Sequence, residues 1–76
     1  MNKDRRKRIQ KILSKIEDLK MEIDCISDEE QEAYDNLPES FQDSEKGEAI
    51  SDNIDTFSDV STDLDTVLDN LNILQE

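Results

Sequence analysis

The sequence predicts an all-α protein in which two long antiparallel helices form a coiled-coil-like αα-hairpin. Three observations carry that prediction. Apolar residues recur at heptad spacing in two separate stretches, from Ile9 to Ile26 and from Ile50 to Leu74. The single proline, Pro38, falls between them. Charge is divided along the chain: residues 1–20 hold eight bases and three acids, whereas residues 51–76 hold seven acids and no base.

The first helix is expected over about residues 3–35. Its Ile9, Ile12, Ile16, Leu19, Ile23 and Ile26 are spaced 3, 4, 3, 4 and 3 apart, a seam of a and d positions. Continuing that register reaches Glu30, Ala33 and Leu37, and Leu13 and Tyr34 widen the stripe from e positions. Ser27 and Glu30 have capping-box spacing and could start a separate short helix, but the heptad phase runs through them without a slip. The turn, about residues 36–43, follows from Pro38, which disfavours helical geometry at Leu37 and has no N–H to donate. The second helix, about 44–75, can start at Ser40, where Ser40 and Asp43 have capping-box spacing, or at Asp43 or Ser44. Gly47 lies early in it, where its cost is small. Ile50, Ile54, Phe57, Val60, Leu64, Val67, Leu68, Leu71 and Leu74 occupy a, d and e positions, the broad face of a bundle helix. Met21, Cys25 and Ile73 are the main apolar residues off these faces.

Two helices of about 50 Å joined by a short connection pair antiparallel. Folding near residue 40 sets Lys11 by Asp69, Lys15 by Asp65, and Lys20 by Asp59 or Asp63. Each exposed pair is worth under about 1 kcal/mol, but together they favour this orientation. At 76 residues with 33% hydrophobic content, a lone hairpin has little core, and the second helix offers more apolar surface than the first can cover. A homodimer, two hairpins forming a four-helix bundle, is therefore expected. Its seam would use Ile16, Leu19, Ile23, Phe57, Leu64, Leu68 and Leu71.

Enzymatic chemistry is not expected. Without histidine there is no imidazole base or ligand and no Glu-x-x-His di-metal helix. Cys25 lies off the seam and reads as a free structural thiol. Asp52, Asn53 and Asp55 lack the glycine and terminal glutamate of a calcium loop. No catalytic, cofactor or metal site, and no small-molecule substrate, is assigned. No stretch is apolar enough for a membrane span, there is no signal peptide pattern, and a lone cysteine agrees with a reducing compartment. Cytoplasmic residence is expected.

The acidic surface is the more informative feature. Net charge is -12, and residues 21–59 contain fourteen acids and one base, Lys46. Asp55, Asp59 and Asp63 repeat every fourth residue, with Asp52 one turn earlier, giving carboxylates about 6 Å apart along the helix. That spacing approaches the separation of successive phosphates on a nucleic-acid strand. Together with Glu29, Glu30 and Glu32 it suggests a partner-binding surface for a basic groove, as in a nucleic-acid mimic. The plainer explanation is that an acidic outer face keeps a helix soluble. Nucleic acid itself is disfavoured as a ligand of this end because its phosphates would be repelled. The basic run Lys3, Arg5, Arg6, Lys7, Arg8 and Lys11 could act as an arm on an anionic surface, though complementing the acidic second helix is the simpler role.

Residues 29–48, which include Tyr34-Asp35-Asn36-Leu37-Pro38-Glu39-Ser40 and Ser44-Glu45-Lys46-Gly47-Glu48, resemble a family of small uncharacterised acidic helical-hairpin proteins of bacteriophages and prophages. The resemblance implies a viral accessory protein, in the host-cell cytoplasm if phage-encoded, and transfers no active site. Within the turn, Tyr34 and Leu37 are expected to fold over Phe41 and Ile50, with Asp35 and Asn36 capping the reversal. Alternatively Tyr34, Asp35, Asn36, Leu37, Pro38 and Phe41 form a docking point. The function expected is modulation or inhibition of a host or defence protein through the acidic surface. The alternative is a structural or assembly role as a homo-oligomeric bundle or a small subunit of a larger complex.

Overall fold

The computed structural model describes residues 1–76. Helix α1 spans Lys3–Asp35, a single helical turn α2 spans Glu39–Gln42, and α3 spans Glu45–Ile73. The two long helices pack antiparallel as a hairpin with principal extents of 58 × 15 × 13 Å. No helix is long and apolar enough to cross a membrane.

Each boundary has a local cause. The Asn2 side chain accepts from the Arg5 N–H at 2.9 Å and caps α1. The helix then continues unbroken through Ser27, so the capping-box spacing there starts nothing. It stops where Pro38 withdraws a donor, with the Asn36 N–H closing on the Glu32 carbonyl at 2.9 Å. Of the three candidate starts for the last helix, Ser44 is the one used. Its hydroxyl accepts from the Gly47 N–H at 3.4 Å and donates to the Phe41 carbonyl. Ser40 lies instead inside α2, whose N-cap is Pro38.

The helices meet in a register different from the heptad seam expected. On α1 the half-buried and buried positions are Arg6, Ile9, Leu13, Ile16, Lys20, Ile23, Ser27, Glu30 and Tyr34, with Leu37 just beyond it. On α3 they include Gly47, Ile50, Ile54, Phe57, Ser61, Leu64, Leu68, Leu71 and Gln75 just beyond it. Both series alternate steps of three and four, so both belong to one antiparallel seam. In the lettering that puts Ile9 and Ile50 at a, this seam is a and e. The d positions Ile12, Leu19 and Ile26 are 46%, 54% and 49% exposed. Leu19, expected in the seam, is therefore outside it, while Ile16, Ile23, Phe57, Leu64, Leu68 and Leu71 are half-buried within it.

The cross-helix bonds fix the alignment: Arg6 meets Gln75 and Glu76, Lys20 meets Asp65, and Glu30 meets Asn53. That alignment sets Leu13 level with Leu71 and Ile16 level with Leu68, an apolar stretch near the open end. Toward the turn it sets Ser27 level with Phe57 and Ser61 level with Ile23, so small residues leave room for large ones. Leu13, at 8% exposure, is the only hydrophobic side chain buried outright. Burial of one leucine is a slender core for 76 residues.

Gly47 is needed for a reason the sequence did not show. A Cβ there would stand 2.1 Å from the Gln42 carbonyl oxygen and 2.6 Å from that of Phe41. Backbone of α2 thus lies directly against α3, and only glycine admits the approach. Helix propensity alone favours alanine at an interior position by about 1 kcal/mol. The collision should reverse that sign, with Gly47→Ala lowering stability by about 1–3 kcal/mol in urea melts followed by circular dichroism. A variant more stable than the parent would show that α2 does not dock as described.

Candidate functional site

The acidic residues singled out in the sequence divide between two environments. Asp52, Asp55, Asp59 and Asp63 are all exposed on α3 and take part in no ion pair. Glu29 and Glu32 are exposed on α1. Glu30 is half-buried and turned toward α3, where its carboxylate accepts from the Asn53 side-chain amide at 3.3 Å. It therefore belongs to the seam more than to an outer binding surface.

Cations do little to offset this charge. The molecule holds two ion pairs, Arg8–Asp4 at 3.4 Å within α1 and Lys20–Asp65 at 2.6 Å between the helices. Neither involves an acid of residues 21–59. The pairings expected for Lys11 and Lys15 do not form, because the true alignment places Asp65 against Lys20 and leaves both lysines exposed. Lys20 instead lies in the seam, its stem among apolar neighbours and its ammonium reaching outward to Asp65. The hydrogen bond to Asp65 is the main cause of a Lys20 pKa raised above the usual 10.5; burial opposes it, and the charges of Asp65 and Asp24 add to it.

The turn is built differently from the arrangement expected of it. Tyr34 and Leu37 are half-buried, but Phe41 is 56% exposed and does not lie beneath them. The covering role falls to Gln42, whose side-chain amide donates to the Tyr34 and Leu37 carbonyls at 3.3 Å each. Those bonds tie the end of α1 to the turn: the Tyr34 carbonyl, which also accepts from the Leu37 N–H at 3.1 Å, and the Leu37 carbonyl just beyond the helix share one amide. Asp35 accepts from Gln31 at 3.0 Å, and Asn36 closes the helix through its backbone. Pro38 is exposed. Of the six turn residues proposed as a docking point, Phe41 is thus the one that presents a large apolar surface to solvent, in a strongly acidic setting. Nothing in the sequence marks Gln42, because an amide that bridges two carbonyls has no periodic or apolar signature.

Two open grooves lie along the hairpin. One, of about 410 Å³, is lined by Glu30, Asn53, Thr56, Phe57 and Val60 toward the turn. The other, of about 300 Å³, is lined by Met1, Arg5, Arg8, Ile9 and Ile12 at the open end. No cluster of three acidic or thiol side chains is placed to hold a metal ion, and Cys25 is an exposed free thiol. No protein-family model, curated protein or solved structure matches the chain significantly. The site must therefore be read from its own chemistry.

The Lys20 shift carries a sign for stability. A pKa raised on folding adds stability that is fully present below the unfolded value and is lost as pH rises through the folded one. The Lys20–Asp65 contribution should therefore persist through neutral pH and disappear above about 10.5. Melts at stepped alkaline pH should show the parent losing more stability there than Lys20→Gln. Parallel losses in the two proteins would mean that the pair contributes nothing.

Proposed function

We propose that the chain is a small non-enzymatic accessory protein, of the phage type its turn segment resembles, that modulates or inhibits another protein through its acidic end. The observation that carries this reading is the uncompensated charge of residues 21–59. Their fourteen acids face one base, Lys46, and none of them enters an ion pair. An arrangement of that kind stores like-charge repulsion in the free protein. A basic groove on a partner would relieve it, as a nuclease or other DNA-binding protein presents, and electrostatic steering would speed the encounter. Phe41, exposed in the same region, supplies the apolar anchor that a purely charged surface lacks. A cytoplasmic setting, that of the host cell for a phage-encoded chain, goes with this reading.

A second reading is favoured by a separate observation. Most of the exposed large hydrophobic residues of the long helices are not scattered but recur at heptad spacing along the hairpin. That pattern suits an assembly role, with the hairpin a homodimer or a small subunit of a larger complex. The two readings are compatible, since Asp52, Asp55 and Asp59 lie on α3's outer face, away from the apolar stripe, and only Asp63 stands at its edge.

The acidic reading is tested by capture from host lysate with the parent and with Asp55→Asn/Asp59→Asn/Asp63→Asn, followed by mass spectrometry. The parent should retain basic, nucleic-acid-binding proteins that the triple variant loses, with helicity and oligomer mass unchanged. A captured protein should also release its nucleic acid when the parent is added. Equal capture by the triple variant would remove the acidic surface as the binding element.

A further inference from the structure

Five of the exposed large hydrophobic residues fall on one flank of the hairpin, while Met1, Met21, Phe41 and Ile73 lie off it. In an antiparallel helix pair, the positions flanking the seam on one side of α1 share a face with those on the same side of α3. On this flank stand Ile12, Leu19 and Ile26 from α1 and Val60, Val67 and Leu74 from α3. All but the half-buried Val60 are between 42% and 54% exposed. The cross-helix alignment interleaves them into one continuous stripe. The opposite flank carries Gln10, Glu17, Asp24 and Gln31 from α1 with Ser51, Ser58, Asp65 and Asn72 from α3, and has no apolar residue. The asymmetry holds from Ile12 to Ile26; nearer the turn the same flank carries Ala33, Asn53 and Lys46. Both open grooves border the apolar flank, one at each end.

We infer that this flank is the self-association surface, on which a second copy of the chain packs face to face and tip-to-tail about a two-fold axis near Leu19. The inference rests on the assembly reading above and adds its face and its orientation. Charge at the stripe's edge decides the orientation. The α1 edge reads Arg8, Lys15, Glu22, Glu29 at seven-residue intervals, basic toward the open end and acidic toward the turn. Turning a second copy end for end sets Arg8 against the partner's Glu29 and Lys15 against the partner's Glu22, twice over by symmetry. The same operation lays Ile12 on the partner's Ile26 and Leu19 on its own counterpart. The alternative, with both turns at one end, would stack two copies of the region that holds fourteen acids and one base. The α3 edge, Ala49, Thr56, Asp63 and Asn70, carries one acid, although the outer face of that helix is rich in them. A face about 58 Å long and 15 Å wide is of the order that a standard interface needs, about 800 Å² per partner. The single buried hydrophobic side chain of the lone hairpin is a further reason for a second layer.

Two charge-reversed proteins test the face and the orientation together. One carries Arg8→Glu/Lys15→Glu and the other Glu22→Lys/Glu29→Lys, all at exposed positions. By sedimentation velocity the parent should be a dimer at micromolar concentration, and each variant alone should dimerise at least about tenfold more weakly. An equimolar mixture should regain the parent's affinity as a heterodimer, because each of the four edge pairs then joins an acid to a base, two of them with their signs exchanged. Leu19→Asp should be monomeric. A monomeric parent at about 100 μM, a dimer untouched by Leu19→Asp, or a mixture no tighter than its components would each overturn the inference. The acidic reading is tested separately, because Asp55 and Asp59 lie outside this flank, with only Asp63 and Glu29 at its edges, and its readout is capture of a different protein.

Discussion

The register in which α1 meets α3 decides what every other surface of this protein can do. Once Lys20 is set against Asp65 and Glu30 against Asn53, each position on both helices is assigned to the seam, to a flank or to the outside. The seam so formed is only partly apolar. Arg6, Lys20, Ser27 and Glu30 lie in it on α1, and Ser61 on α3. Such a seam specifies alignment well, because a slip would bury charge without its partner. It contributes little apolar burial, and a good share of the aliphatic side chains of α1 is left facing water.

Helix existence, the Pro38 break and the antiparallel pairing were legible in the sequence, since they follow from periodicity, from a missing donor and from chain length. The phase of the seam was not. Ile9, Ile16 and Ile23 are common to both possible seams, so the first helix alone reads most simply as a seam through Ile12, Leu19 and Ile26. The second helix decides otherwise. Its Ile50, Ile54, Phe57, Leu64, Leu68 and Leu71 form the heavier face, and pairing that face draws Leu13 and Tyr34 inward at the expense of Ile12 and Leu19. A polar residue such as Lys20 is admitted because its stem packs while its charge escapes to Asp65. Counting apolar residues on one helix cannot anticipate a choice made by the other.

The candidate sites were legible to unequal degrees. Exposed aspartates at four-residue spacing can be read from sequence because a regular helix fixes their separation, and Asp55 and Asp59 stand outside as expected. Glu30 reads both as a seam position and as part of the acidic surface, and its bond to Asn53, distant in sequence, favours the seam. The turn was the least legible part. Gln42 bridging two carbonyls and Gly47 accepting the backbone of α2 are contacts between irregular segments, with no periodic signature. Phe41 is expected inside because this end needs apolar cover, and it is outside because the Gln42 amide covers the helix end instead.

Each helix is thus divided into a face turned to its own partner helix and a flank left for another molecule. Isotope-filtered NOE spectroscopy on a mixture of labelled and unlabelled protein distinguishes the two. Cross-copy contacts are expected from the methyl groups of Leu19, Ile12 and Ile26, with Leu13 and Ile16 showing contacts only within one chain, to Leu71 and Leu68. Cross-copy contacts from Leu13 and Ile16, or contacts within one chain joining Leu19 to Leu64 and Leu71 across the seam, would contradict that division.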